Sequence, residues 1–287
     1  MPASERSLAP LASPEGVLCL LALDHREALR NAFRRAGVAE QTEELALRVK
    51  TRIANALGGL ATGILLDHAA VGCRPPHAGL LLPLEEQGYE PLDGGRTNRL
   101  EFTAEGAQAL GADGCKLLLW YRADHPATSS RQRELVARAA ADCHRVGLPL
   151  ILEPLVHRLE GESDESYAAA FPELVVAAAA ELAGSGSDLL KLQFPSEEAC
   201  AQLTEASAPL KWALLGGSDT DGETFARQLE WACRVGASGF IAGRAIWGGV
   251  LGLPEAEQDA WLAANALPLF ERLVGIAEEH ATRVGGL

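Results

Sequence analysis

The chain has 287 residues, of which 48% are hydrophobic and 22% charged, a composition typical of a soluble globular protein. Its formal net charge is -14, and an acidic surface repels nucleic acid and anionic membranes, so we expect neither as a partner. No apolar run reaches the about 20 residues of a membrane helix, and the amino terminus lacks the pattern of a secretory signal. The six cysteines form no Cys-x-x-Cys pair, which predicts reduced thiols and a cytoplasmic location.

Apolar runs that predict strands alternate with amphipathic segments that predict helices along the chain. The predicted strands cover residues 17–23, 61–66, 78–83, 114–120, 148–153, 188–194, 211–215 and 238–242. The first predicted helix begins near residue 27. The others cover residues 39–57, 103–110, 129–146, 163–183, 196–206, 219–235 and 254–282. The segment 85–98 contains glycines and a proline without a clear period, so we predict a long loop there.

Eight buried strands with helices between nearly all of them predict an α/β protein, a single (β/α)8 TIM barrel over residues 1–287. The competing fold is an open, doubly wound sheet. That fold would be expected to show a glycine-rich dinucleotide-binding turn after the first strand. This chain has Asp24-His25-Arg26 at that place, which favours the barrel.

The sixth predicted strand carries a lysine, Lys191, within an apolar run. Burying an ammonium group without a partner is costly, so this lysine requires an explanation. It either forms a salt bridge at the end of the strand or acts as a nucleophilic amine that forms a Schiff base with a carbonyl substrate.

Barrel enzymes hold their chemistry at the carboxyl ends of the strands. Residues two apart on a strand share a face, and this rule predicts that four charged side chains converge on the barrel mouth: Asp24, Lys116, Glu153 and Lys191. A second ammonium group near Lys191 would favour the neutral amine that attacks a carbonyl. The alternative is a structural network of two ion pairs.

The ends of the seventh and eighth strands carry small residues followed by an arginine. Gly216-Gly217-Ser218 and Gly243-Arg244 offer backbone N–H groups and a guanidinium to an anion. Because barrels often bind phosphate at these two loops, the pattern predicts a phosphate site. Tight turns, with Arg244 capping a carboxylate, are the alternative.

Several other polar residues have weaker assignments. We expect His25 to line the pocket, and the cations considered for the far end of a substrate are Arg122, His25, His157 and Arg158. We predict that Lys50 is solvated on its helix and that Glu85 and Glu86 lie on the surface. No His-x-His or His-Glu-x-x-His spacing occurs, so no metal site is predicted.

Five blocks resemble class I aldolases of the tagatose 1,6-bisphosphate aldolase type. Within that group of enzymes, the blocks are most similar to the aldolases of 6-deoxy-6-sulfofructose 1-phosphate. The blocks are Leu23-Asp24-His25-Arg26-Glu27-Ala28, Lys116-Leu-Leu-Leu-Trp120, Leu152-Glu153-Pro154, Asp188-Leu-Leu-Lys191 and Ala237-Ser-Gly-Phe-Ile-Ala-Gly-Arg-Ala-Ile-Trp247. The resemblance extends over residues 15–280. It departs from the family at His25 and Gln193, where a glutamine and a glutamate are expected, and at Ser218, which follows its glycines.

The resemblance implies a barrel without a metal or other cofactor. It implies that Lys191 is the Schiff-base lysine, that Glu153 is the acid/base carboxylate, and that Asp24 and Lys116 support them. It also implies that Gly217, Ser218, Gly243 and Arg244 hold a phosphate.

The expected function is the retro-aldol cleavage of a phosphorylated ketose. The substrate would be 6-deoxy-6-sulfofructose 1-phosphate or a related ketose (bis)phosphate such as tagatose 1,6-bisphosphate, and the products dihydroxyacetone phosphate and an aldehyde. We also expect a homo-oligomer. Two alternatives remain open at this point: a metal-dependent barrel lyase, and a non-catalytic regulator that binds sugar phosphates.

Overall fold

The computed structural model describes residues 6–35, 37–38, 42–217 and 220–284. The strands are β1 (Leu18–Leu23), β2 (Gly63–Leu66), β3 (Gly79–Pro83), β4 (Glu90–Leu92), β5 (Gly95–Thr97), β6 (Gly114–Tyr121), β7 (Leu150–Val156), β8 (Leu189–Leu192), β9 (Lys211–Leu215) and β10 (Gly239–Ala242). Within these residues, eight strands pair in parallel and close into a barrel in the order β1-β10-β9-β8-β7-β6-β3-β2. The predicted (β/α)8 TIM barrel is confirmed.

The helices follow the strands and form the outer layer of the barrel. They are α1 (Glu27–Arg35), α2 (Glu43–Leu57), α3 (Ala104–Ala109), α4 (Pro126–Arg145), α5 (Asp164–Leu182), α6 (Glu197–Ser207), α7 (Gly222–Arg234), α8 (Arg244–Trp247), α9 (Glu255–Trp261) and α10 (Leu267–His280). A short π-helical segment, Leu262–Ala266, joins the last two. Thr42, Thr103, Ser163, Ser196 and Asp221 each accept a backbone hydrogen bond as the N-cap of a helix, which fixes where those helices begin.

The inside of the barrel is a compact apolar cluster of alternate strand residues. Its strand members are Leu18, Leu20, Ala22, Leu65, Leu81, Ile151, Leu189, Ala213 and Ile241. Leu11, which ends a short 3-10 helix, and Val284 belong to the same cluster. Because side chains alternate along a strand, the next residues in these rows emerge at the carboxyl-terminal mouth.

The segment 85–98, predicted as a loop, contains an antiparallel hairpin of β4 and β5. Asp93 and Gly94 form its turn, with φ of 49° and 79°. An Asp-Gly pair with positive φ is the usual signature of a two-residue hairpin turn, and the prediction overlooked it. β7 also extends beyond the predicted residue 153, because it stays paired with the long β6 as far as Val156.

Two other predicted boundaries involve undescribed residues. Residues 39–41 and 218–219 lie outside the described part of the chain, so the predicted helix starts at 39 and 219 are not addressed. Among the described helices, none is both long and apolar enough to cross a membrane.

Candidate active site

Lys191 and Glu153 lie side by side at the carboxyl-terminal mouth of the barrel. Lys191 Nζ is 3.0 Å from Glu153 Oε2, and each residue is only 4% exposed. Neighbouring strands carry them, since β7 pairs with β8. The sequence prediction that strand alternation brings these two side chains together agrees with this geometry.

Lys116 of β6 approaches the same carboxylate oxygen, at 3.1 Å. Within the described part of the chain, Oε2 of Glu153 has these two ammonium neighbours but no contact with hydrogen-bond geometry. This oxygen is therefore held by two ion pairs rather than by directed hydrogen bonds.

Lys116 is surrounded by three carboxylates. It donates to Asp24 Oδ2 at 3.0 Å and to Glu85 Oε1 at 2.7 Å, besides its contact with Glu153. Burial acts to lower the pKa of Lys116, but Asp24, Glu153 and Glu85 together raise it well above its ordinary value. Lys116 is thus a permanent cation.

Asp24 shows the reciprocal effect. Burial acts to raise the pKa of this carboxyl group, but Lys116, His25 and Lys191 together lower it. Asp24 therefore remains a carboxylate. The four charged side chains predicted to converge on the mouth do form one contiguous cluster.

Glu85 is a fifth member of the cluster, and the prediction that it lies on the surface was wrong. It is 6% exposed, and its Oε2 also accepts from the backbone N–H of Leu118 at 3.1 Å. Burial raises its pKa. The same alternation rule could have found it, because Glu85 continues the inward row of Leu81 beyond the end of β3.

Lys50 was also predicted wrongly as a solvated residue. It is 4% exposed and forms an ion pair with Asp67, which follows β2. Asp67 additionally caps the 3-10 helix His68–Cys73 by accepting from the N–H of Ala69. The helical pattern of α2 did not reveal this pair because it depends on a residue 17 positions away.

The ends of β9 and β10 pack against each other and against β1. A Cβ on Gly216 would lie 2.6 Å from the Cβ of Ala242, and one on Gly243 would lie 2.6 Å from the carbonyl oxygen of Ala22. Both positions therefore require glycine for close backbone approach. Gly217 follows directly, whereas Ser218 lies outside the described residues.

His25 lies between the charged cluster and the turn after β10. Its Nδ1 is 3.7 Å from Asp24 Oδ1, and its ring packs edge-on against Trp247 at 5.3 Å. Burial lowers the pKa of His25 to about 3, with Arg244 acting in the same direction and Asp24 against it. A neutral imidazole thus lines the space between Asp24 and Arg244, in agreement with the prediction that His25 borders the pocket.

Arg122, a cation considered for the far end of a substrate, is bonded to groups of the protein. Its guanidinium donates to Asp124 at 2.8 Å, to Glu162 at 2.6 Å and to the carbonyl oxygen of His157 at 2.9 Å. These bonds hold the guanidinium inside the protein, where Arg122 is only 3% exposed. We therefore assign Arg122 to holding the loops that follow β6 and β7 rather than to binding substrate.

A closed parallel barrel with a buried lysine, a shared carboxylate and a second cation at its mouth is the architecture of a barrel enzyme built around a lysine amine. In the described residues no group of three or more His, Cys, Asp or Glu side chains is arranged to hold a metal ion.

Comparison with known proteins identifies the family. The sequence model of the DeoC/LacD family aldolases matches residues 18–249, and the chain belongs to that family. It is therefore a carbon–carbon lyase of the class I aldolase group.

The relatives agree with this assignment. The chain is 27% identical over 319 aligned positions to tagatose 1,6-diphosphate aldolase 1 of Streptococcus pyogenes serotype M1, covering 98% of this chain and 97% of the relative. It is 28% identical to tagatose 1,6-diphosphate aldolase of Listeria monocytogenes serotype 4a, covering 84% and 80%.

Solved structures share the fold. An archaeal fructose-1,6-bisphosphate aldolase, whose catalytic lysine is covalently bound to the carbinolamine intermediate, matches with a TM-score of 0.68 at 19% identity, covering 93% of this chain and 98% of that one. Fructose-bisphosphate aldolase from Plasmodium falciparum matches with a TM-score of 0.72 at 16% identity, covering 100% and 99%.

Proposed function

We propose that this chain cleaves a ketose 1-phosphate through a Schiff base on Lys191. The observation that carries the proposal is the buried contact of Lys191 Nζ with Glu153 Oε2, 3.0 Å apart at the barrel mouth. A lysine must lose a proton before it can attack a carbonyl, and Glu153 is within reach to accept that proton. The transfer leaves a neutral amine beside a carboxylic acid.

Binding places the ketone next to this amine. The 1-phosphate lies against the backbone of Gly216, Gly217 and Gly243 and against Arg244, because closely packed glycines let an anion approach the main chain. Ser218 remains a predicted ligand. His25 borders this space, and its neutral ring offers a hydrogen bond without adding charge.

The covalent steps follow from the proton on Glu153. Lys191 Nζ attacks the C2 ketone to give a carbinolamine, Glu153 protonates the departing hydroxyl, and water leaves as the iminium forms. A carboxylate then removes the C4 hydroxyl proton and the C3–C4 bond breaks. The electron pair of that bond flows to the iminium, which becomes an enamine. The aldehyde departs, protonation at C3 and hydrolysis follow, and dihydroxyacetone phosphate leaves with Lys191 restored.

Lys116 has a different role in this scheme. Its raised pKa keeps it protonated, so it does not compete as a nucleophile. It instead stabilises negative charge that develops on the substrate hydroxyls, together with Asp24, which orients them.

The substrate is proposed to carry a second anionic group at C6. Two relatives are named for tagatose 1,6-diphosphate, which supports tagatose 1,6-bisphosphate as the first candidate. 6-Deoxy-6-sulfofructose 1-phosphate is the second, supported by the likeness of the sequence blocks around Asp24, Lys191 and Arg244.

A substrate panel tests the proposal. The panel contains tagatose 1,6-bisphosphate, fructose 1,6-bisphosphate, 6-deoxy-6-sulfofructose 1-phosphate and fructose 1-phosphate, and the release of dihydroxyacetone phosphate is followed by its enzymatic reduction with NADH. We expect turnover of at least one C6-anionic ketose by the native chain and none by Lys191→Met. Binding of these sugars without triose phosphate release would identify a regulator instead.

A further inference from the structure

An arginine of the β4–β5 hairpin lies between two aromatic rings. Arg96 Cζ is 4.4 Å from the centroid of the Tyr89 ring and 4.6 Å from that of Trp120. Among the described residues, no carboxylate lies within ion-pair distance of Arg96. In a chain with 39 acidic and 25 basic residues, a half-buried arginine without an acid partner is unusual. Stacking engages the faces of the guanidinium and leaves its N–H edge for an anion.

Three acidic side chains near the hairpin and its adjoining loops pair with other arginines. Glu90 of the same hairpin contacts Arg99 at 2.7 Å and Arg131 at 4.0 Å. Asp124 and Glu162 bind Arg122, as described above. The protein thus compensates the neighbouring cations but leaves the charge of Arg96 uncompensated.

His157 provides a second, independent sign of a ligand. It is 3% exposed, and within the described residues neither of its ring nitrogens has a hydrogen-bond partner of acceptable geometry. Its ring packs edge-on against Trp120 at 5.9 Å. Burial, followed by the charges of Arg96 and Arg122, lowers the pKa of His157 to about 4, while the backbone of Leu155 acts weakly against them. A buried ring whose nitrogens lack well-formed hydrogen bonds is costly, and a bound anion would remove that cost.

The strand register places these residues above the lysine pair. Trp120 lies four residues beyond Lys116 on β6, and His157 lies four residues beyond Glu153 at the end of β7. Four residues correspond to about 13 Å of strand, and an even spacing keeps the same face. Trp120 and His157 therefore lie on the same inward-facing rows as Lys116 and Glu153, further towards the mouth.

Gln193 lies between the lysine pair and His157 along the direction of the strands. It lies two residues beyond Lys191, and its Oε1 accepts a hydrogen bond from the N–H of Val156 at 2.7 Å. This bond ties the end of β8 to the end of β7, directly before His157. Gln193 thereby helps to fix the position of the chain at Val156 and His157.

We propose that Arg96 and His157 form the subsite for the tetrahedral oxyanion at C6 of the substrate, a phosphate or a sulfonate. The guanidinium edge donates two parallel hydrogen bonds and the imidazole N–H donates a third. Tyr89 and Trp120 fix the orientation of the arginine. This inference rests on the proposed function, because Lys191 must hold the other end of the same molecule.

The kinetic test compares substrates with and without the C6 anion. Arg96→Met retains a long side chain for the aromatic stack but removes the charge. Arg99→Met, two residues beyond the hairpin, is the matched control. We expect Arg96→Met to lower kcat/KM about 10- to 100-fold for tagatose 1,6-bisphosphate or 6-deoxy-6-sulfofructose 1-phosphate, the loss of hydrogen bonds to a charged group. The value for fructose 1-phosphate should change less than about threefold. Equal losses on all substrates, or no loss, overturn the proposal, and the ratio between the two C6-anionic sugars identifies the preferred oxyanion.

A second variant separates hydrogen bonding from packing. His157→Leu removes both ring nitrogens at similar volume, whereas His157→Gln retains a donor. We expect the leucine variant to lose activity on C6-anionic substrates selectively and the glutamine variant to recover most of it. Equal activity of the two variants contradicts a role for the imidazole N–H.

An equilibrium measurement does not depend on turnover. The ring resonances of His157, assigned with His157→Gln, are followed by NMR during titration with inorganic sulfate. The native protein and Arg99→Met should show a saturable shift, and Arg96→Met should not. A shift with no turnover of any sugar would sink the proposed function but retain the anion subsite. Turnover of a C6-anionic sugar without a shift would sink the subsite alone.

Discussion

Two lysines share one oxygen of Glu153, and their other contacts distinguish them. Lys116 also contacts Asp24 and Glu85, which raises its pKa and fixes its charge. Among the described residues, the carboxylate that Lys191 contacts is that of Glu153. This difference in surroundings supports the proposal that Lys191, rather than Lys116, forms the covalent bond.

The role of Glu85 can be tested by removing its charge at constant shape. Glu85→Gln places an amide beside both Lys116 and the N–H of Leu118, and one of these donors then loses an acceptor. We expect kcat/KM to fall about 10- to 100-fold, corresponding to one lost hydrogen bond to a charged group.

Glu86→Gln is the matched control for this variant. Glu86 is exposed and pairs with Arg99 at the surface, so we expect activity within about twofold of the native value. Circular dichroism should show both variants folded. Native activity in Glu85→Gln would remove Glu85 from the functional cluster.

For individual residues, the sequence predicted the positions of those side chains that follow from strand alternation. Asp24, Lys116, Glu153 and Lys191 were found in that way. Lys50 was missed because a helix pattern does not show which distant residue, here Asp67, lies opposite. Arg96 was missed because its hairpin was itself predicted as a loop.

At the scale of elements, the ends of β9 and β10, where we propose that the phosphate binds, pack closely through their backbones. Gly243→Ala would place a Cβ 2.6 Å from the Ala22 carbonyl oxygen and 2.9 Å from the His25 ring. Since the contacting atoms include backbone, the strand ends must separate. We expect KM for the ketose phosphate to rise at least about tenfold, together with a loss of about 1–3 kcal/mol in the free energy of unfolding.

Gly275→Ala is the control for this effect. Gly275 lies inside α10, and a Cβ there meets nothing within 4 Å. Alanine should therefore stabilise the helix by about 0.5–1 kcal/mol in urea denaturation without altering KM. A Gly243→Ala variant that behaves like Gly275→Ala would contradict the close approach.

The β4–β5 hairpin is the element that the sequence described least well. Its strands are three residues each, too short for a recognisable alternation. The Asp93-Gly94 turn was the available local signal. The hairpin matters because it brings Arg96 to the ring of Trp120, a contact that no local pattern predicts.

For the whole molecule, the lowered pKa values of two histidines predict how stability depends on pH. Burial lowers the pKa of His25 to about 3 and that of His157 to about 4, against about 6.5 in an unfolded chain. At pH values between the folded and the unfolded pKa of each histidine, the unfolded chain binds more protons than the folded one. The free energy of unfolding should therefore decrease as pH falls below about 6.5, by up to about 2 kcal/mol per histidine between pH 7 and 5.

Urea denaturation at a series of pH values measures this dependence. The double variant His25→Gln/His157→Gln should flatten it between pH 7 and 5, whereas His77→Gln, an exposed control, should retain it. Glu85 acts in the opposite direction, because its raised pKa lets the folded chain bind more protons than the unfolded one. Stability independent of pH over this range would contradict the burial of neutral imidazoles.

The barrel itself was predictable because eight apolar runs at regular intervals leave few ways to bury them. The family likeness then identified the amine chemistry, and the structure added Glu85 and the pairing of Arg122. We propose above all that Lys191 becomes covalently attached to the substrate.

Borohydride trapping followed by peptide mass spectrometry tests this claim most directly. The chain is reduced in the presence of tagatose 1,6-bisphosphate or 6-deoxy-6-sulfofructose 1-phosphate. We expect a triose phosphate adduct on the peptide containing Lys191, no adduct in Lys191→Met, and none on Lys116. Turnover without an adduct on Lys191, or an adduct on Lys116 instead, would contradict the account.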